Sequence, residues 1–320
     1  MAKDSVMARK ICVISGSRAD NSPLSHLISI LHHDSRCEFQ YIETSGIYGN
    51  EAHIISELSL LSPDILVALG DRTETALACV VAASMAIPIA HIQGGEITEG
   101  CTDENMRHCL TKLAYYHFPI HQMYANRLIQ MGESPDRIFV CGAPGVDNLA
   151  MPRMTRAEIE MELGIDLKQF ALVCFHPETL GNQPEITLGI MAQYHLIICG
   201  ANADPGGAAM TLMAQQLLGQ QNGAYYRETY GARVWTNLMR EADVLIGNSS
   251  SFIFEGMTLG KKVINVGDRQ KGRYEDAVKL FSQEKYPFGK PGTVSGKIAD
   301  VLMSVEIPDK PRKIFLDMRG

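Results

Sequence analysis

The chain lacks what would mark a metal or disulfide protein. Its eight cysteines form no C-x-x-C pair, and most sit inside apolar runs such as ICVIS, FVCG, LVCF and IICG. Cysteines so placed read as buried small hydrophobes in a reducing compartment. Cys101 and Cys109, the closest two, have no partner at metal-site spacing, so neither a disulfide framework nor a structural zinc is expected. Also missing is any apolar stretch of the roughly 18 residues that a membrane helix needs. No low-complexity block occurs, and positive charge is not in excess: 29 Lys and Arg stand against 36 Asp and Glu, a formal net charge of -7. Nucleic acid and anionic membranes therefore have no general electrostatic reason to bind, and an anionic ligand needs a local site. The Gly-x-Gly-x-x-Gly turn of dinucleotide enzymes and the Walker loop are absent, which removes support from hydride transfer and P-loop hydrolysis. The start, MAKDSVMARKICVIS, passes from charged residues straight into a strand-like run, unlike a signal peptide, and a cytoplasmic location is expected.

What is present is an α/β alternation. The chain has 320 residues, 46% of them hydrophobic, enough for two domains with real cores. KICVIS, PDILVALG, IPIAHI and RIFVCG, then FALVCFH, YHLIICG, ADVLIGN and KKVINVG, read as strands. Helical patterns separate them: one from about Pro23, then RTETALACVVAASMA, MTLMAQQLLG, VWTNLMREA and SSFIFEGMTLG. Unbroken apolar runs suit strands covered on both faces, hence parallel sheets with crossover helices. Strand signals pause near VDNLAMPRMTRAEIEMELGID, so the reading divides the chain into residues 1–150 and 151–320, each a Rossmann-like, doubly wound domain. Two such sheets facing one another would form a cleft along their strand carboxyl ends.

Polar residues just after apolar runs are then the informative ones. Ser249, Ser250 and Ser251 follow ADVLIGN and open a helix, where free N–H groups favour an anion such as phosphate, while Glu255 could accept hydrogen bonds from sugar hydroxyls. A plain Ser N-cap followed by a solvated Glu explains the same stretch equally well. Arg269, Lys271 and Arg273 crowd the loop after KKVINV and could neutralise a diphosphate, although a solvated basic loop is the simpler account. His176 ends a strand before a Pro turn. In the first half, Asp71 and Arg72 follow ILVALG, and Arg18 follows the first strand. The stretch HIQGGEITEGCTDENMRH, residues 91–108, places Glu96 and Glu99 after a Gly pair. Thr102 can cap a helix on which Met106, Leu110 and Leu113 repeat at helical spacing. Asp103 with Arg107 and Glu104 with His108 are i,i+4 pairs, which a solvated helix start would explain. That account leaves the Gly pair and the acidic loop at a strand end unexplained.

Taken in order, SGSRAD, PDILVALGDR, IPIAHIQGGEIT, DENMRHCLTKLAYYHF, QMGESPDRIFVCGAPGVDN, VCFHPETL, ANADPGG, LIGNSSSFIFE and VINVGDRQKGR resemble the hydrolysing UDP-N-acetylglucosamine 2-epimerase family, which serves sialic acid and related nonulosonic acid synthesis. The resemblance implies the glycosyltransferase-B arrangement, a homodimer, a UDP-sugar substrate and no redox cofactor or metal. It implies that Asp71, Glu96, Asp103 and Glu104 are the acid and base groups. Arg18, Arg72, His176, Asn202, Ser249, Ser250, Ser251, Glu255, Arg269 and Arg273 would hold the nucleotide sugar, and the last helix would pack back on the N-terminal domain. The implied reaction converts UDP-N-acetylglucosamine to N-acetylmannosamine and UDP through a glycal. The same reaction on UDP-N,N'-diacetylbacillosamine, in the legionaminic acid pathway, and a weakly active UDP-sugar-binding homologue are the alternatives. Three departures stand out. SGIYGNEAHII replaces a longer segment that begins with a Gly-x-His turn in relatives, Gln93 stands where some relatives have Glu, and Asn21 replaces an aromatic residue.

Overall fold

The computed structural model describes residues 8–15, 18–44, 51–181, 193–202, 204, 206–220, 224–314 and 316. Two five-stranded sheets, parallel throughout, organise the chain. The first holds β1 (Arg9–Ser15), β2 (Cys37–Glu43), β3 (Ile65–Leu69), β4 (Ile89–Ile92) and β5 (Tyr116–Phe118) in the order β2-β1-β3-β4-β5. The second holds β6 (Phe170–Cys174), β7 (His195–Cys199), β8 (Tyr225–Arg227), β9 (Val244–Gly247) and β10 (Val263–Asn265) in the order β10-β9-β6-β7-β8. Each order reverses direction once, between β1 and β3 and between β6 and β9. Ligands of open α/β sheets bind at such reversals, beyond the carboxyl ends of the strands.

The inner strands are apolar runs because helices cover both faces; KKVINVG forms the edge strand β10. Along β1, Ile11 and Val13 enter one core with Leu24, Leu27 and Leu31, while Cys12 and Ile14 enter the opposite one with Ala78 and Ala82. In the second sheet Phe170 and Leu172 face one core and Ala171 and Val173 the other. RIFVCG is not a strand: only Ile138 forms an isolated bridge, to His117, after a 3-10 turn at Pro135–Arg137. Its Phe139 still packs into the core as part of a loop, so an apolar run alone was a misleading strand signal there. Strands β5 and β8, three residues each at sheet edges, carry too short a pattern to announce themselves. The first helix begins at Arg18, so Pro23 lies inside it and removes one early hydrogen bond without ending the helix.

The chain forms two compact units, and the division is not a single cut. One unit comprises Met1–Glu96, Asp103–Asp147 and Phe288–Gly320, and the other Ile97–Thr102 and Asn148–Pro287. In the first unit the helix Val294–Ser304 supplies Val294, Ile298, Ala299 and Leu302 to the core beneath β1. Asp147, 2% exposed, holds the start of that helix: its carboxylate accepts from the Val294 N–H at 3.2 Å and the Ser295 N–H at 2.6 Å. These are two of the donors that a helix start leaves without intrahelical partners. Asp147→Ala is expected to lower the stability of this unit by ~2 kcal/mol, measured as a shift of its urea unfolding midpoint, with no shift in the second unit.

Candidate active site

In the first unit, strands β3 and β4 lie side by side and release their chains at the same edge. Gly70 and Asp71 follow β3. Gln93, Gly94, Gly95 and Glu96 follow β4. The second glycine is required by space: Gly95 has φ +83°, and an added Cβ would lie 2.5 Å from the Tyr124 carbonyl oxygen. Gln93 also adopts a left-handed φ of +70°, a strained choice for a residue with a side chain. His91, fully buried in β4, ties the two strand ends together, because its Nε2–H donates to the Gly70 carbonyl at 2.6 Å. Burial pushes the His91 pKa down to about 4, the Gly70 bond offsetting part of the effect, so the ring stays neutral near pH 7.

The helix Asp103–Leu113 brings in Arg107, which the sequence reading leaves out of the site. Its side chain is 1% exposed, and it bonds Asp71, Glu104 and the Glu96 backbone carbonyl, the last at 3.0 Å. Burial by itself would depress the guanidinium pKa. The charges of Asp71, Glu96 and Glu104 outweigh it and hold the pKa above the ordinary value, so Arg107 is permanently charged. One buried cation thus gathers three of the four expected acid and base residues. The Asp71 and Glu104 side chains remain 18% and 24% exposed, open enough to meet a ligand, whereas Glu96 as a residue is 1% exposed. Asp103 opens the same helix. Glu104 also meets His108 at 3.2 Å. Glu99 parts company with the group: it lies in the second unit and pairs with Lys271 at 2.8 Å. Arg72 is the N-cap residue of the helix Thr73–Ser84, with Nε 3.7 Å from Glu74. Arg18 starts the helix after β1, and its side chain lies outside the described residues.

The second unit assembles a different kind of site at the β6 and β9 ends. His176 Nδ1 accepts from the Asn202 N–H at 3.1 Å, and its Nε2 lies 3.5 Å from Cys174 Sγ. Asn202 donates to Asp204 at 2.5 Å, and Asp204 pairs with Arg269 at 3.2 Å. Arg269, 9% exposed, also donates to the Pro177 carbonyl at 2.8 Å. Ser249 and Ser251 share a hydrogen bond of 2.9 Å, and Trp235 Nε1–H donates to Ser251 at 3.2 Å. Ser250 begins the helix over residues 250–258, which widens to π-helix at Phe252–Gly256. Such single-turn insertions recur at functional sites. Glu255 lies within it, 5% exposed, and burial pushes its carboxyl up to about 8. Arg273, 6% exposed, opens the helix Arg273–Phe281, donates to Gln270 at 2.8 Å and stands 5.4 Å from the Phe254 ring centroid. Asn248, Gln270 and Asp204 belong to this network and were not singled out from sequence. Their only signal was a polar residue beside an apolar run or a cation. Among the described residues no helix is long and apolar enough to cross a membrane.

Comparison with known proteins gives this arrangement a context. The profile of the UDP-N-acetylglucosamine 2-epimerase family matches residues 50–288, reaching into both units. The GDP/UDP-N,N'-diacetylbacillosamine 2-epimerase (hydrolyzing) of Campylobacter jejuni is 31% identical over 316 residues, covering 83% of this chain and 82% of that protein. The polysialic acid biosynthesis protein P7 of Escherichia coli is 29% identical over 326 residues, covering 84% of this chain and 81% of that one. The crystal structure of UDP-GlcNAc 2-epimerase from Neisseria meningitidis bound to UDP-GlcNAc shares the fold, with a TM-score of 0.73 at 17% identity over 92% of this chain and 100% of that one. Two parallel α/β sheets, the acidic strand ends of the first unit and the breadth of the profile match lead to one assignment: the chain belongs to the UDP-N-acetylglucosamine 2-epimerase family.

Proposed function

We propose that the protein is a hydrolysing 2-epimerase that converts UDP-N-acetylglucosamine and water into N-acetylmannosamine and UDP. The observation that carries this reading is the acidic set around Arg107: the Asp71 carboxylate at the end of β3 and the Glu104 carboxylate on the helix bond it, and Glu96 in the turn after β4 meets it through its backbone carbonyl. The proton on the sugar C2 has no adjacent carbonyl to acidify it. Its removal therefore needs an ionised carboxylate acting as the C1–O bond to UDP breaks. A buried guanidinium favours the ionised form of the acids it touches. The C2–H electron pair becomes the C1–C2 double bond of a glycal, and UDP leaves with the C1–O pair. Water then adds its oxygen at C1 while an acid delivers a proton to C2 from the opposite face, which inverts C2. Asp71, Glu96, Asp103 and Glu104 are assigned to these transfers. Arg18, Arg72, His176, Asn202, Ser249, Ser250, Ser251, Glu255, Arg269 and Arg273 are assigned to binding, with cations and helix-end N–H groups stabilising the departing diphosphate.

As written, the reaction uses no redox cofactor and no metal. The same reading describes a cytoplasmic homodimer with an N-terminal acid and base domain and a C-terminal UDP-binding domain. A second substrate, UDP-N,N'-diacetylbacillosamine, is favoured by the names of the Campylobacter jejuni relative and of its 27% identical counterpart in Legionella pneumophila. Incubation with each nucleotide sugar, following UDP release and the free sugar by mass and NMR, decides between them. Release from neither sinks both.

Asp71→Asn is expected to cut kcat by ~1000-fold or more while UDP affinity, measured by calorimetry, stays within about threefold. Arg107→Lys keeps the charge but loses the two-pronged fork, and kcat is expected to fall roughly 10- to 100-fold. A titration of Glu255 gives a separate check. Its folded pKa of about 8 exceeds the ~4.3 of an unfolded chain. The folded state therefore keeps this proton between those values, and its stability is lost as pH rises through that window. Glu255→Gln is expected to melt roughly 3–6 °C above the unsubstituted protein at pH 8.5 and to match it near pH 4.5. A difference that does not change with pH would contradict the assignment.

A further inference from the structure

The second sheet reverses its order between β6 and β9, and a single side chain joins the loops that leave these strands. Cys174 and Gly247 are the last residues paired in register, and the Asn248 N–H still donates to the Cys174 carbonyl at 3.1 Å. The two strands approach so closely that only glycine fits at 247, where φ is +143° and an added Cβ would lie 1.9 Å from the Cys174 oxygen. Beyond this point the Asn248 carboxamide continues the pairing. Its Oδ1 accepts from the His176 N–H at 2.7 Å, and its Nδ2 donates to the His176 carbonyl at 2.9 Å. The side chain thus supplies the donor and acceptor of a peptide group and extends the ladder by one residue. Its own backbone carbonyl accepts from Gln270 Nε2 at 3.1 Å, and Gln270 Oε1 accepts from Arg273 at 2.8 Å. Asn248 is fully buried and Gln270 is 3% exposed.

We infer that Asn248 is the positioning residue of the nucleotide site: it sets His176, the Ser249–Ser251 turn and, through Gln270, Arg273 in fixed relation, so that a nucleoside diphosphate meets partners already in place. The inference rests on the reading of the second unit as the UDP-binding one. It explains why three loops from β6, β9 and β10 converge on a neutral amide. A carboxylate of the same shape at 248 would face the His176 carbonyl with no hydrogen to donate, and it would add negative charge beside residues assigned to an anion.

A buried amide could instead serve stability alone, and Asn237 provides the comparison. It is 1% exposed in the same unit, accepts from the Met154 N–H at 3.0 Å and donates to the Arg233 carbonyl at 2.8 Å. Calorimetric titration with UDP is run on the unsubstituted protein, Asn248→Asp, Gln270→Leu and Asn237→Ala, with melting temperatures recorded for each. Asn248→Asp is expected to weaken UDP binding roughly 30- to 100-fold and Gln270→Leu roughly 10-fold. Asn237→Ala melts lower but keeps its affinity within about twofold, as expected for groups acting independently. KM for the UDP-sugar rises with Kd in Asn248→Asp, while kcat falls by less. Affinities of Asn248→Asp and Gln270→Leu equal to that of the unsubstituted protein overturn the inference and leave the nucleotide reading standing. Absence of UDP binding by the unsubstituted protein overturns both. If Asn248→Asp does not fold, Gln270→Leu decides, since it breaks the same chain of bonds one step nearer Arg273.

Discussion

Arg107 is shut off from water, and a charge so placed needs opposite charge within contact distance, because removing one partner leaves an uncompensated ion in the interior. Its demand is met by Asp71 from the end of β3, by Glu104 one turn earlier on its own helix, and by the Glu96 carbonyl after β4. The end of β3, the turn after β4 and the helix that follows are thereby held to one geometry. The charges of Asp71, Glu96 and Glu104 in turn keep Arg107 protonated. Under the proposed function, stability and chemistry draw on one set of bonds here, so this corner of the first unit has little freedom to drift.

In the second unit, neutral groups tie the loop after β6 to the loop after β9 and reach Arg273. A place meant for a diphosphate gains nothing from carboxylates that fix its walls, since each would oppose the ligand. The Asn248 amide and Gln270 hold the loops without adding charge, and the buried Glu255 carboxyl is pushed towards its neutral form. Acids do appear: Asp204 is matched by Arg269, and the buried Glu178 carboxylate accepts from the Asp268 N–H at 2.8 Å. Under the proposed function the contrast has a reason: one unit would move protons and the other would receive an anion.

Much of this was legible in the sequence, for stated reasons. Strands β3, β6 and β9 are buried along their whole length, so they appear as unbroken apolar runs, and the polar residues after them mark both sites. RIFVCG shows the limit, because apolar content records burial and not pairing. Pairings across the fold were hidden. Sequence spacing displays i,i+4 partners, so Glu104 with His108 was readable, but the bond from Arg107 to Asp71 spans 36 residues. Asn248 was overshadowed by the serines beside it, and its value depends on a loop 72 residues away. The acidic stretch from 91 to 108 looked continuous, yet Glu96 and Glu99 fall in different units.

The interleaving of the two units bears on how the protein is made. Strand β1 precedes the second unit along the chain, but part of the apolar cover of one of its faces comes from Val294, Ile298 and Leu302, which follow that unit. That face stays incompletely shielded while Asn148–Pro287, the bulk of the second unit, is synthesised and begins to fold. The unit that begins before the other is therefore completed after it, and the β1 face waits for part of its cover until the second unit has been made.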